Sequence, residues 1–203
     1  MRHLNKKDFD FFGVLIGVIV GLVLGYLIGA KFNLEPSVDP NDGQVMEEVN
    51  YVYTLQLGKY SNPTTAENYY NSLIEKNIEC VYVCDGDYYY IYCAISTNEE
   101  EINNKKEAFA LIGYDGIIKK EYLYNRANNV IENNNSYDFY IQMIDNLLNS
   151  LNNQAIEISD EFLINPVDIE LLTWINMLSS IQNSDYKGKI QLQTYKMIIE
   201  KLK

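Results

Sequence analysis

The chain has 203 residues, 28 of them acidic against 16 basic, for a formal net charge of −12. That balance opposes nucleic-acid binding, which needs clustered Lys and Arg against phosphate, and it opposes adhesion to an anionic lipid surface. Eighteen tyrosines against one tryptophan, with abundant asparagine, read as the codon bias of an AT-rich genome before they read as function.

Residues 1–10 carry Arg2, Lys6 and Lys7, and residues 11–30 then run for twenty positions without a charge. A helix of that length covers roughly the 30 Å hydrocarbon core of a bilayer, so a transmembrane helix is expected. A cleaved signal peptide is the rival reading, but its apolar core is shorter and ends at small residues, whereas Ile28 precedes Ala30 here. Beyond the span the nearest base is Lys31, followed by Glu35, Asp39, Asp42, Glu47 and Glu48. Basic residues near a span stay cytoplasmic, which places the N-terminus inside and the rest of the chain outside, at the cell membrane. Glycines recur at every fourth position from Gly13 to Gly29. Such spacing lets helix backbones approach closely, and Gly17, Gly21 and Gly25 are the candidates for self-association or for pairing with another membrane helix. The bland alternative is that glycine is common in membrane helices generally.

Residues 31–50 combine two prolines, an Asp-Gly turn and acidic residues without apolar periodicity, as a linker does. From Tyr51 the pattern alternates. YVYTLQLG reads as a strand, and Asn62 followed by Pro63 opens a helix. IECVYVC, the turn DGD and YYYIYCAIS read as a hairpin. Thr97 with Glu100 forms a capping box for a second helix, in which Ile102, Phe109, Leu111 and Ile112 supply apolar contact. GIIKKEYLY is the last strand. The order βαββαβ predicts an α+β fold of the split βαβ (ferredoxin/RNP-like) kind, its sheet covered by two helices on one face and open on the other. The Asn-rich run after Tyr124 separates this unit from a helical C-terminal region, 136–203. There Ile141, Ile144, Leu147, Leu148 and Leu151 lie at helical spacing, Pro166 opens a second helix with Ile169, Leu172, Ile175 and Met177, and residues 186–202 give a third, so a small three-helix bundle is expected.

Three cysteines, Cys80, Cys84 and Cys93, leave at least one thiol free. The only histidine, His3, is on the other side of the membrane and no fourth ligand is evident, so no metal or other cofactor is expected. If DGD is a three-residue turn, Tyr82 opposes Tyr90 and Cys80 opposes Tyr92, while Val81, Val83, Ile91 and Cys93 face the helices. The open face then gathers Tyr82, Tyr88, Tyr90 and Tyr92, with Thr54 and Gln56 from the first strand. Flat rings with a hydroxyl suit sugars, although tyrosine is also simply a good strand former. A one-residue slip of the hairpin would instead set Cys80 opposite Cys93 and allow a disulfide.

YTLQLGKYSNPTTAENYYNSLIEKNIECVYV followed by DYYYIYCAIS resembles the SPOR (sporulation-related repeat) domain over residues 51–124. Its first strand typically reads hydrophobic, Gln, hydrophobic, Gly, then Ser and an aromatic; Gln56, Gly58, Tyr60 and the helical Ala66 match. The resemblance implies a module that binds peptidoglycan glycan strands stripped of stem peptides through the open face of the sheet, often at the division septum. The chain departs from the family pattern at Tyr90, where an Arg is common, and at Ala94, where a glycine usually ends the strand. The missing Arg removes a donor for glycan carboxylate or hydroxyls. Two functions follow as expectations: a membrane-anchored glycan-binding module, or a non-enzymatic protein-interaction scaffold of the envelope. An enzyme is not expected, since the outer segment has no His, nucleophile motif or readable carboxylate pair. An RNA-binding sheet of the same strand order is opposed by charge and orientation.

Overall fold

The computed structural model describes residues 51–130, 134–181 and 186–203, which belong to one compact unit. The expected cytoplasmic tail, the span with Gly17, Gly21 and Gly25, and the linker lie outside the described residues. Among the described residues no helix is long and apolar enough to cross a membrane.

The described chain is α+β, with four strands and seven helices. The strands are β1 (Val52–Tyr60), β2 (Val81–Asp85), β3 (Tyr88–Ser96) and β4 (Ile117–Glu121); α1 (Pro63–Ile74) and α2 (Glu99–Leu111) lie between them. The sheet order is β2-β3-β1-β4 and every neighbouring pair is antiparallel. The tail adds α3 (Tyr124–Val130), α4 (Asn134–Leu151), α5 (Asp160–Ile164), α6 (Ile169–Ser180) and α7 (Lys187–Lys201).

Local chemistry explains most of the boundaries. Asn62 caps α1, its side chain accepting from the Thr65 N–H at 3.1 Å, and Pro63 follows where its missing N–H costs nothing. At α2 the expected capping box is not made. Asn98 is the cap instead, accepting from the N–H groups of Glu100 and Glu101, while the Thr97 hydroxyl donates to Asn152 of the tail. Ile102 is buried as expected, but Leu111 and Ile112, at 88% and 62% exposure, are not part of the core. In the tail, Asp168 rather than Pro166 marks the start of α6: its carboxylate accepts from Glu170 and Leu171, each at 3.0 Å. Leu171, Leu172, Ile175 and Leu178 form the buried stripe of α6, and Ile169 and Met177 are exposed. Part of the presumed Asn-rich spacer is helical, as α3, and Ala127 within it is fully buried.

The hairpin is tighter than expected. Asp85 pairs with Tyr88, so only Gly86 and Asp87 form the turn, and the positive φ falls on Gly86 at 59°. Glycine at the first position with positive φ is the pattern of a type II′ hairpin turn. Two bulges then shift the β1/β3 register, one skipping Cys93 and one skipping Leu57. Gly58 follows the second; a Cβ there would lie 2.5 Å from the ring of Tyr60, which folds back over it.

One face of the sheet packs on α1 and α2 through Leu55, Ile91, Cys93, Leu73 and Ile102. The other face is also covered. Val52, Val81, Val83 and Tyr92 share a core with Phe139 and Leu147 of α4, Leu171 of α6 and Tyr195 of α7. Ile190, Leu192, Tyr195, Met197, Ile198 and Ile199 of α7 are all buried. At about 1.5–3 kcal/mol per buried large apolar side chain, that helix is an integral layer of the fold, because whole domains are stable by only about 5–15 kcal/mol.

Candidate functional site

The face expected to be open carries Thr54 and Gln56 of β1 and Tyr88, Tyr90 and Tyr92 of β3, at alternate positions of paired strands. Tyr90 and Tyr92 stack at 5.9 Å between centroids, and Tyr88 follows at 6.4 Å, so three of the four expected rings form one row. Tyr82 does not join them. The two-residue turn moves β2 by one position relative to the expected register: Tyr82 opposes Ile91 rather than Tyr90. A slip of one residue exchanges faces, and Tyr82 stacks instead with Tyr89 at 5.6 Å and lies against Tyr70 of α1. Val81 and Val83, expected toward the helices, take its place on the tail side.

Along the row, cover falls steadily. Tyr92 is 8% exposed, with the ring of Tyr195 edge-on at 5.6 Å; Tyr90 is half-buried; Tyr88 is 42% exposed. Thr54 and Gln56 are buried, and the Gln56 Oε1 has no hydrogen-bond partner. A polar network ties this face to the tail. The Tyr195 hydroxyl donates to Glu121 at 3.0 Å, Arg126 of α3 donates through Nε to Glu121, and its two terminal nitrogens reach both Asp85 oxygens at 3.1 and 2.8 Å. Burial works against the guanidinium charge, yet Asp85 and Glu121 outweigh it and hold the Arg126 pKa above its ordinary value. Burial, then the neighbouring Glu121 charge, raises the phenols of Tyr92 and Tyr195 well above theirs. At the edge of β2, the Cys84 N–H donates to Glu200 of α7 at 3.2 Å.

The uncovered remnant is small and carries one lysine. Lys59, directly opposite Tyr90, places its ammonium 3.8 Å from the Tyr88 ring centroid and 5.5 Å from that of Tyr90. Sequence reasoning missed Lys59 and Arg126. Lys59 follows a bulge that returns it to this face, and Arg126 sat in a segment read as a spacer. Two clefts flank the start of β2, of about 370 Å³ against α1 and α7 and about 320 Å³ against α2 and α7. In the second, Glu101 is already engaged by Lys105 and the Ser96 hydroxyl.

No family model matches the chain, and no curated protein or solved structure is detectably similar to it.

Proposed function

We propose that the chain is a membrane-anchored scaffold of the cell envelope, with its N-terminus cytoplasmic and its α+β unit outside, acting through binding rather than chemistry. The observation that carries this reading is that α7 lies where the SPOR resemblance puts a glycan: Tyr195 sits on Tyr92, over buried Thr54 and Gln56. A sheet face filled by the chain's own helix holds protein, and the partner is then met by other surfaces and by the membrane helix. Glycan binding is the second reading, favoured by one feature, the exposed Tyr88–Tyr90 strip with Lys59 over both rings. Rings of this kind stack on sugar C–H faces, and Lys59 supplies a cation near the position where the resemblance expects Arg.

Sedimentation of the outer unit with purified cell-wall sacculi, before and after amidase treatment, separates the two. The scaffold reading expects no co-sedimentation in either case, and loss of self- or partner association in membranes when Gly17, Gly21 and Gly25 are replaced by Leu. Co-sedimentation with amidase-treated sacculi that disappears in Tyr88→Ala and Lys59→Ala would replace it with the glycan reading.

A further inference from the structure

The β2/β3 register ends at Val81↔Tyr92, and extending it by one residue sets Cys80, just before β2, across from Cys93. Residues directly opposite in an antiparallel pair have Cα atoms about 4.5 or 5.5 Å apart, and both spacings fall inside the range a disulfide accepts. The two side chains share one apolar cluster on the α1/α2 side of the sheet. Cys84 is excluded as a partner for either. It lies opposite Tyr89, four strand steps from both, which is about 13 Å along the sheet. All three thiols are free in the structure.

Each member of the pair is nearly buried, at 6% and 8% exposure, yet each lines a cleft: Cys80 the larger one beside Tyr70 and Lys189, Cys93 the smaller one beside Ser96 and Gln191. The clefts are where a small disulfide would approach the pair. We infer that Cys80 and Cys93 are a redox pair, oxidised to a cross-strand disulfide by exchange with a low-molecular-weight disulfide through these clefts, with Cys84 remaining a free thiol. This inference does not depend on which partner the chain binds.

The neighbouring Cys93 thiol lowers the Cys80 pKa, against the opposing effect of burial, and favours Cys80 as the attacking thiolate. Its sulfur bonds to one sulfur of the incoming disulfide and expels the other as a thiolate. Cys93 then loses its proton, attacks the Cys80 sulfur and releases the second thiolate. Two protein thiols are oxidised, one external disulfide is reduced to two thiols, and the two protons end on the leaving thiolates. Outside the cytoplasm, where the proposed orientation puts these residues, such a pair persists oxidised.

The test uses the full chain in detergent, treated with oxidised glutathione, denatured and alkylated. Expected is one alkylated cysteine in place of three. Cys80 and Cys93 share one tryptic peptide, so cleavage before Asp85 and Asp87 is used to recover the two halves linked. Cys84→Ser forms the same link with no alkylatable thiol left, and its Tm rises by roughly 5–10 °C on oxidation, as expected for a loop of this length. Cys93→Ser traps glutathione on Cys80. A Cys84→Ser protein that keeps both thiols alkylatable, whether glutathione is added to the folded chain or during refolding from denaturant, overturns the inference. So does a link through Cys84 in the unmodified chain.

Discussion

Replacing Tyr195 by Ala tests whether sheet and tail are one folding unit. The side chain is 2% exposed, stands edge-on to Tyr92 at 5.6 Å and donates to Glu121 at 3.0 Å. Removing a buried aromatic ring costs about 3–5 kcal/mol through lost transfer energy and the cavity left behind. The lost hydrogen bond adds little, because Glu121 keeps Arg126. A total of about 4 kcal/mol is a large share of the roughly 5–15 kcal/mol typical of a whole domain. Urea unfolding followed by the fluorescence of Trp174, the single tryptophan, reports on α6, while hydrogen exchange of the β2 and β3 amides reports on the sheet. Both should lose stability together and by the same amount, and Tyr195→Phe should cost only about 1 kcal/mol. If the sheet amides keep their protection while the Trp174 transition moves, the tail is a separable domain and the argument that it fills the sheet face fails.

Gln56→Met should raise stability by about 1 kcal/mol, since it removes a buried oxygen with no partner while keeping the side-chain length; a drop in the urea midpoint would show that the amide is satisfied in solution. Asp168→Asn should weaken the acid limb of the stability curve. The Asp168 pKa is lowered, against burial, by Lys201 at 2.8 Å and by the N–H groups of Leu171 and Glu170, so its contribution is full above the unfolded value near 3.9 and is lost as pH falls below it. Asn still caps α6 but cannot pair with Lys201, so stability at neutral pH should fall by about 0.5–1 kcal/mol and respond less to acid, as urea midpoints at a series of pH values would record. Alkaline unfolding runs the other way. The phenols of Tyr92, Tyr124 and Tyr195 are raised by burial first, so the stability they supply is full below the unfolded value near 10 and is lost as pH rises above it. Their phenolate absorbance should appear together with loss of near-ultraviolet circular dichroism; phenolates forming in a chain that is still folded would contradict their burial.

The strand and helix order was legible because alternation, Asn62-Pro63 and an Asp-Gly turn each report local backbone chemistry that the tertiary structure left intact. What local chemistry could not decide was a choice between neighbours one residue apart. Asp85 is as suited to the strand end as to the turn, and Asn98 caps as well as Thr97, yet moving the turn by one position sends Tyr82 to the opposite face. Burial of the second face was legible too, in a signal read differently. VYVC and IYCAI lack the polar alternation of a sheet wetted on one side, and residues 91–96 are buried without a break. Tyrosines that seemed to need a sugar were in part answering a helix far along the chain, where Tyr195 meets Tyr92.

That distance is what links the fold to the proposed role. A sheet of this strand order with helices on one face only must leave apolar rings to water or give them a partner, and rings in water mark a binding surface. Here the partner is supplied by the same chain, and Arg126 joins the ends of β2 and β4 beneath it through Asp85 and Glu121. What remains for other molecules on this face is the strip where Tyr88 of β3 and Lys59 of β1 stand exposed. On this face the strip around the hairpin turn is what stays accessible, and substitutions at the buried Thr54, Gln56 or Tyr92 are expected to act through stability.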